Sequence, residues 1–216
     1  MNPTTVELKS ESETLQADLY GTLPAARAMV LCHGASWDAS GWRDIAPQFA
    51  ERGVPALAIN FRGFDGSTGK TGQKPKDQRS TFAVDLWTTV TDVAAAKAWL
   101  KNAGAKEIAL VGASMGGHAV LGSSFEGDIE CVVSLSAPVE AVDDALLRKV
   151  TGRKLFICAN EDSYGAAPNV LHAFEVCATP KTLLMFGAKE HSMGMLHAPY
   201  GKDVLSAMLD FVTGRR

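Results

Sequence analysis

The feature that most constrains this chain is an alternation of short apolar runs with longer stretches of helical period. Residues 28–32, 55–61, 107–111, Ile129–Leu135, 154–159 and Lys181–Phe186 are nearly continuous in apolar side chains. Runs of that kind predict strands buried on both faces, because a strand with one wet face alternates polar and apolar residues. Between them lie stretches with an apolar residue every three or four positions, over 42–52, 81–102, 115–124, about 141–150, about 167–178 and about 200–213. Strands alternating with helices give a parallel sheet covered on both faces. Residues 5–10 and 14–20 alternate instead, and predict an antiparallel hairpin at the start. The expected architecture is a mixed, mostly parallel eight-stranded sheet flanked by helices on both faces, formed as one domain over residues 1–216. A chain of 216 residues is long enough to bury a full core of this type.

One stretch, 62–80, has no period and is rich in Gly, Lys, Asp and Gln. A loop of that length in a compact domain is either functional or mobile. It contains Gly69-Lys70-Thr71, which imitates the end of a phosphate-binding loop. That pattern needs a glycine five residues before Gly69, where Phe64 stands, so a nucleotide site is not expected.

Charge and composition remove several classes of function. The net charge of −3 offers no basic field for nucleic acid or for an anionic membrane surface. The first twenty residues include Glu7, Lys9, Glu11, Glu13 and Asp18 and have no apolar core of a secretory signal, which predicts a cytoplasmic protein. No apolar run reaches the length of a membrane span. Cys32, Cys131, Cys158 and Cys177 show no C-x-x-C spacing and read as buried free thiols. No long exposed apolar helix demands a second copy of the chain.

The chemistry begins at Ser114. It lies in Gly112-Ala113-Ser114-Met115-Gly116, between the expected strand at 107–111 and the expected helix at 115–124. G-x-S-x-G in that context is the nucleophile-elbow pattern. A tight strand-to-helix turn forces the serine backbone into a strained conformation, and small neighbours let the two arms of the turn pass each other. The hydroxyl then stands at a helix N-terminus, where N–H groups and the helix dipole favour developing negative charge.

A serine nucleophile needs a base, and the base needs an orienting group. The apolar run at 154–159 ends in Asn160-Glu161-Asp162, which makes Asp162 the preferred acid and Glu161 its rival. Asp143 and Asp144 fall on an expected helix and read as solvated surface charge. His191 follows the last strand in a loop, where it is well placed to reach the serine. His118 and His172 fall on helices, and His197 precedes Ala198-Pro199. His191 and His197 lack metal-ligand spacing such as H-E-x-x-H, so a zinc site is not expected, and acyl transfer by a serine requires no cofactor or metal.

Serine, aspartate and histidine in this order, each after a successive strand, resemble the α/β-hydrolase family, and the resemblance covers nearly the whole chain. Leu31-Cys32-His33-Gly34-Ala35 is similar to the family's H-G turn, and 58–67 to its D-x-R-G-x-G-x-S segment, with Asn60 in place of the usual Asp and Asp65 one residue out of phase. The resemblance implies an oxyanion hole made by the backbone N–H groups of Ala35 and Met115. Only about fifteen residues separate Pro138 from the next strand, an ordinary connection. The expected fold therefore carries no inserted cap domain, and the site is open. Its walls are read as His33, Trp37, Phe64, Met193 and Met195, with the 62–80 loop and the segment after Pro138. The function implied is hydrolysis of small-molecule esters or thioesters. The same triad also serves amidases and peptidases, and the fold can act as a non-catalytic binding module.

Overall fold

The computed structural model describes residues 1–70, 86–125, 129–137 and 143–214. Eight strands form one sheet: β1 (Thr4–Ser10), β2 (Glu13–Tyr20), β3 (Ala25–Cys32), β4 (Ala56–Ile59), β5 (Ala105–Ala113), β6 (Ile129–Leu135), β7 (Arg153–Ala159) and β8 (Lys181–Phe186). Their spatial order is β1-β2-β4-β3-β5-β6-β7-β8. β2 pairs antiparallel with both β1 and β4, and every other neighbouring pair is parallel. This is the mixed, mostly parallel sheet that the alternation of runs requires.

The continuous apolar strands serve two cores at once. In β5, Ile108 and Leu110 pack into one hydrophobic cluster while Ala109, Val111 and Ala113 pack into the other. β7 divides in the same way, with Phe156 and Cys158 on one face and Leu155, Ile157 and Ala159 on the opposite one. Helices α2 (Leu86–Asn102), α3 (Met115–Gly122) and α5 (Ala167–Val176) cover the first face. Helices α1 (Ala46–Ala50), α6 (Met193–His197) and α7 (Gly201–Thr213) cover the second. All four cysteines are buried and unpaired, and burial pushes the Cys131 and Cys158 thiols up to about 12.

Several elements differ from the sequence reading. The helical period at 42–52 resolves into a 3-10 turn at Ala39–Trp42 followed by the short α1. Pro47 has no N–H to donate into an earlier turn, so the α-helix can start only just before it. The helix expected at 141–150 shortens to α4 (Asp144–Leu147), capped by the Asp143 carboxylate on the Ala145 and Leu146 amides. The loop expected to carry His191 passes almost at once into α6. The proposed starts of the helices at 81 and 141, the residues from 71 to 80 and the wall after Pro138 lie outside the described residues.

Two polar devices fix the loops near the carboxyl ends of the strands. The Arg62 guanidinium is buried and pairs with Asp92 of α2 at 2.8 Å, while also reaching Glu11 and Ser10 of the first hairpin. Asn60 accepts the Ala39 N–H through its side-chain oxygen at 2.6 Å and donates its amide to the Asp65 carbonyl at 2.7 Å. Aspartate there could accept the first bond but not donate the second, which gives the Asn60 departure a physical reason. No described helix is long and apolar enough to cross a membrane.

Candidate active site

The carboxyl ends of β3, β5, β7 and β8 converge on one cavity of about 260 Å³. Ser114 follows β5 with φ 54° and ψ −116°, conformational space that a non-glycine residue enters at a cost of about 1–3 kcal/mol. Its neighbours explain how the turn closes. A methyl group on Gly112 would overlap the Gly116 backbone, and one on Gly116 would overlap the Cys32 carbonyl. Only glycine lets α3 lie that close to β5 and β3.

His191 Nε2 lies 2.9 Å from Ser114 Oγ, and its Nδ1 lies 2.8 Å from Asp162 Oδ1. With the carboxylate as acceptor, Nδ1 carries the proton and Nε2 is left to accept from the serine hydroxyl. The Asp162 side chain is fully buried. Burial alone raises its pKa. The His191 contact, the Tyr164 amide and the Ser136 hydroxyl outweigh that effect and hold the carboxyl below its ordinary value. Glu161, the rival acid, is exposed. The structure thus brings together Ser114, Asp162 and His191.

The peptide between Gly34 and Ala35 is held from one side. The Gly34 carbonyl accepts from the Trp37 N–H at 3.0 Å and from His33 Nδ1 at 2.8 Å. In a trans peptide the N–H points opposite to the C=O, so the Ala35 N–H is turned away from both donors. Gly34, Ala35 and Ser114 line the cavity together. Met115 begins α3, so its N–H is one of the helix-terminal donors that no carbonyl of the preceding turn satisfies.

The residues read as cavity walls divide. Trp37 lines the cavity, with its ring stacked on His197 at 6.0 Å and its edge against Gly41, where a side chain would collide with it. His33 does not line it. The ring is wholly buried, donates from Nδ1 to Gly34 and accepts the Phe61 N–H at Nε2, 3.3 Å away. Phe64 is a second correction. The turn from Phe61 carries its ring edge-on to His33, 4.6 Å away, and it packs against the core. Met193 and Met195 are a third, since α6 carries both side chains into the core beneath the site. His118 is mostly buried in α3 and does not line the cavity, and exposed His172 pairs with Asp144 at 2.7 Å.

Accepting the Phe61 N–H at Nε2 requires the neutral ring, and burial lowers its pKa from 6.5 to about 4. A depressed folded-state value means that the unfolded chain binds the proton first, so this contribution to stability is lost as pH falls from about 6.5 to about 4. NMR titration of the ring is expected to show His33 still neutral at pH 5, where an ordinary imidazole is charged. A midpoint near 6.5 would contradict the assignment.

Sequence reasoning missed four residues around this site. Ser136 and Ser192 both have positive φ, 51° and 57°. The Ser136 hydroxyl accepts the Ser192 N–H at 2.9 Å and helps to hold the Asp162 carboxyl below its ordinary value. Tyr164 packs on the His191 ring at 4.5 Å between centroids, and Glu190 lines the cavity. A polar residue directly after the buried β6 was the one available signal for Ser136. Nothing local marked the others.

Residues 29–212 match the sequence profile of the alpha/beta hydrolase family. The chain belongs to that family. Solved structures of similar fold span almost the whole alpha/beta hydrolase chain. An esterase from Pyrococcus furiosus is 17% identical with a TM-score of 0.78, over 98% of this chain and 92% of its own. A dienelactone hydrolase from Anabaena variabilis is 20% identical with a TM-score of 0.76, over 99% and 97%. An enol-lactonase from Burkholderia xenovorans is 12% identical with a TM-score of 0.76, over 96% and 100%. A sequence search among curated proteins finds no match. The match to structures that are covered nearly end to end accords with an alpha/beta hydrolase that carries no inserted cap.

Proposed function

We propose that this alpha/beta hydrolase is a serine hydrolase that cleaves carboxylic esters or thioesters of small acyl substrates. The observation that carries the reading is the unbroken chain from Ser114 Oγ through His191 to Asp162, with contacts of 2.9 and 2.8 Å at a cavity wall. His191 Nε2 takes the Ser114 proton as Oγ attacks the carbonyl carbon. Asp162 holds the ring and stabilises the imidazolium. The Ala35 and Met115 N–H groups receive the oxyanion, each donor worth roughly 2.7–4 kcal/mol in comparable sites. The imidazolium returns its proton to the departing alkoxide or thiolate, leaving an acyl-serine. Water, deprotonated by His191, then releases the carboxylic acid and restores Ser114.

Labelling with a fluorophosphonate probe, beside turnover of p-nitrophenyl acetate, butyrate and octanoate, tests the reading. Labelling at Ser114 with turnover supports it, and the chain-length profile sizes the acyl pocket. A folded protein that neither labels nor turns over any of the three is a binding module.

Ser136 is a positioning residue in this scheme. Ser136→Ala removes a hydroxyl that lowers the Asp162 pKa and leaves the buried Ser192 N–H without its acceptor. The expected result is a fall in kcat of about 10-fold with KM within about threefold, since Ser136 does not line the cavity. The pKa of Asp162 is expected to rise, so the acid limb of the pH–rate profile moves to higher pH. An unchanged profile would confine Ser136 to packing.

A further inference from the structure

The cavity carries a fixed negative charge for which ester cleavage has no use. Glu190 lines it beside His191. Its carboxylate accepts the Tyr200 hydroxyl at 2.8 Å, and that bond, followed by the neighbouring backbone amides, keeps it below its ordinary pKa and ionised. Tyr200 in turn is stacked on Phe186 with 5.0 Å between ring centroids. The charge is therefore placed by a rigid support and does not wander on a free side chain.

The remaining large lining groups are aromatic. Trp37 is 38% exposed and Tyr164 is 53% exposed, among the few large hydrophobic side chains that this protein leaves in solvent. Aromatic faces carry partial negative charge and attract cations, ammonium groups above all. Among the described lining residues there is no lysine or arginine. Lys189 adjoins Glu190 in sequence and offsets part of its field, but it is not a lining residue.

We propose that the site selects its substrates by charge, accepting esters or thioesters that carry an ammonium group near Trp37, Tyr164 and Glu190 and excluding those that carry a carboxylate there. The proposal rests on the hydrolase reading above and names the substrate class of the same site. A carboxylate in this cavity would lose water and meet Glu190 without a partner. A quaternary ammonium would exchange water for two π faces and an opposite charge.

Two matched series test it, because the charged group can sit on either side of the scissile bond. On the acyl side the probes are the p-nitrophenyl esters of trimethylammoniobutyrate, its neutral tert-butyl isostere and glutarate. On the leaving side they are acetylthiocholine, dimethylbutyl thioacetate and S-acetyl-mercaptopropionate. In at least one series kcat/KM for the cation is expected to exceed that for the anion by about 30-fold at low ionic strength. The ratio shrinks in molar salt, where the Debye length falls to about 3 Å. In Glu190→Gln, which keeps an acceptor for Tyr200, it falls within about threefold of unity. Where turnover is slow, inactivation rates with cationic and anionic phosphonates read the same preference.

A wild-type ratio near unity in both series, a preference for the anion, or a ratio indifferent to both salt and Glu190→Gln overturns the proposal and leaves the hydrolase reading standing. No turnover of any probe together with no phosphonate labelling overturns both.

Discussion

Ser114→Ala is expected to lower kcat/KM for p-nitrophenyl butyrate by about 10⁴-fold or more while leaving the fold intact. The size follows from what the hydroxyl does. In the proposed mechanism it is the attacking atom; it lies 2.9 Å from the His191 nitrogen that would take its proton, and of the serines that line the cavity it is the one bonded to His191 among the described residues. The residual rate measures what the amide donors and the cavity achieve without covalent chemistry. Alanine at φ 54° is strained as serine is, so thermal unfolding is expected to move little. Adding His191→Ala to the Ser114→Ala protein is expected to cost almost nothing further, because residues that act as one unit do not contribute additively. Steady-state kinetics on the two variants check both statements. A Ser114→Ala protein that keeps a tenth of the activity would move the chemistry elsewhere.

Gly116→Ala is expected to be among the most damaging single-methyl changes in the described structure. The added carbon would overlap the Cys32 carbonyl and stand 2.7 Å from the His33 carbonyl oxygen. These are backbone atoms at the end of a central strand, and neither can rotate aside. Overpacking of this kind costs about 3 kcal/mol or more, which for a domain of this size lowers Tm by about 10 °C. Gly187→Ala is the internal control, since nothing stands within 4 Å of the added carbon. Its Tm is expected to stay within about 2 °C of the parent. Differential scanning calorimetry of the pair separates a local clash from any general intolerance of alanine. Equal melting points would mean that α3 can slide along β5, and the tight elbow would not be a requirement of the fold.

What the sequence disclosed followed the strength of the local signal. Strands buried on both faces leave a run of apolar residues that nothing else in the chain imitates, and all six parallel strands were legible from it. Ser114, Asp162 and His191, which the structure brings together, were legible because each lies in the short stretch that follows such a run. The helix at 42–52 misled because an apolar period is indifferent to whether the turns are α or 3-10, and Pro47 decides that question through a single missing N–H. Met193 and Met195 misled for a related reason. Proximity to His191 in sequence suggested the cavity, but the positive φ of Ser192 turns the chain into α6 and sends both side chains to the core. His33 and Phe64 sit in segments of the right kind yet face inward, and facing depends on hydrogen bonds made to distant residues. Ser136 and Ser192 meet only in three dimensions, across 56 positions of chain.

Three serines, at 114, 136 and 192, hold the left-handed backbone conformation that glycine adopts freely. Around one cavity, the chain has therefore accepted local instability at each point where a functional group must be aimed. A population selected for heat tolerance alone would find its easiest gains there, through glycine, and would trade away the aim of Ser114 and of Asp162. The proposed catalytic centre is thus where durability and activity compete in this molecule, and thermal hardening should begin on the opposite end of the sheet.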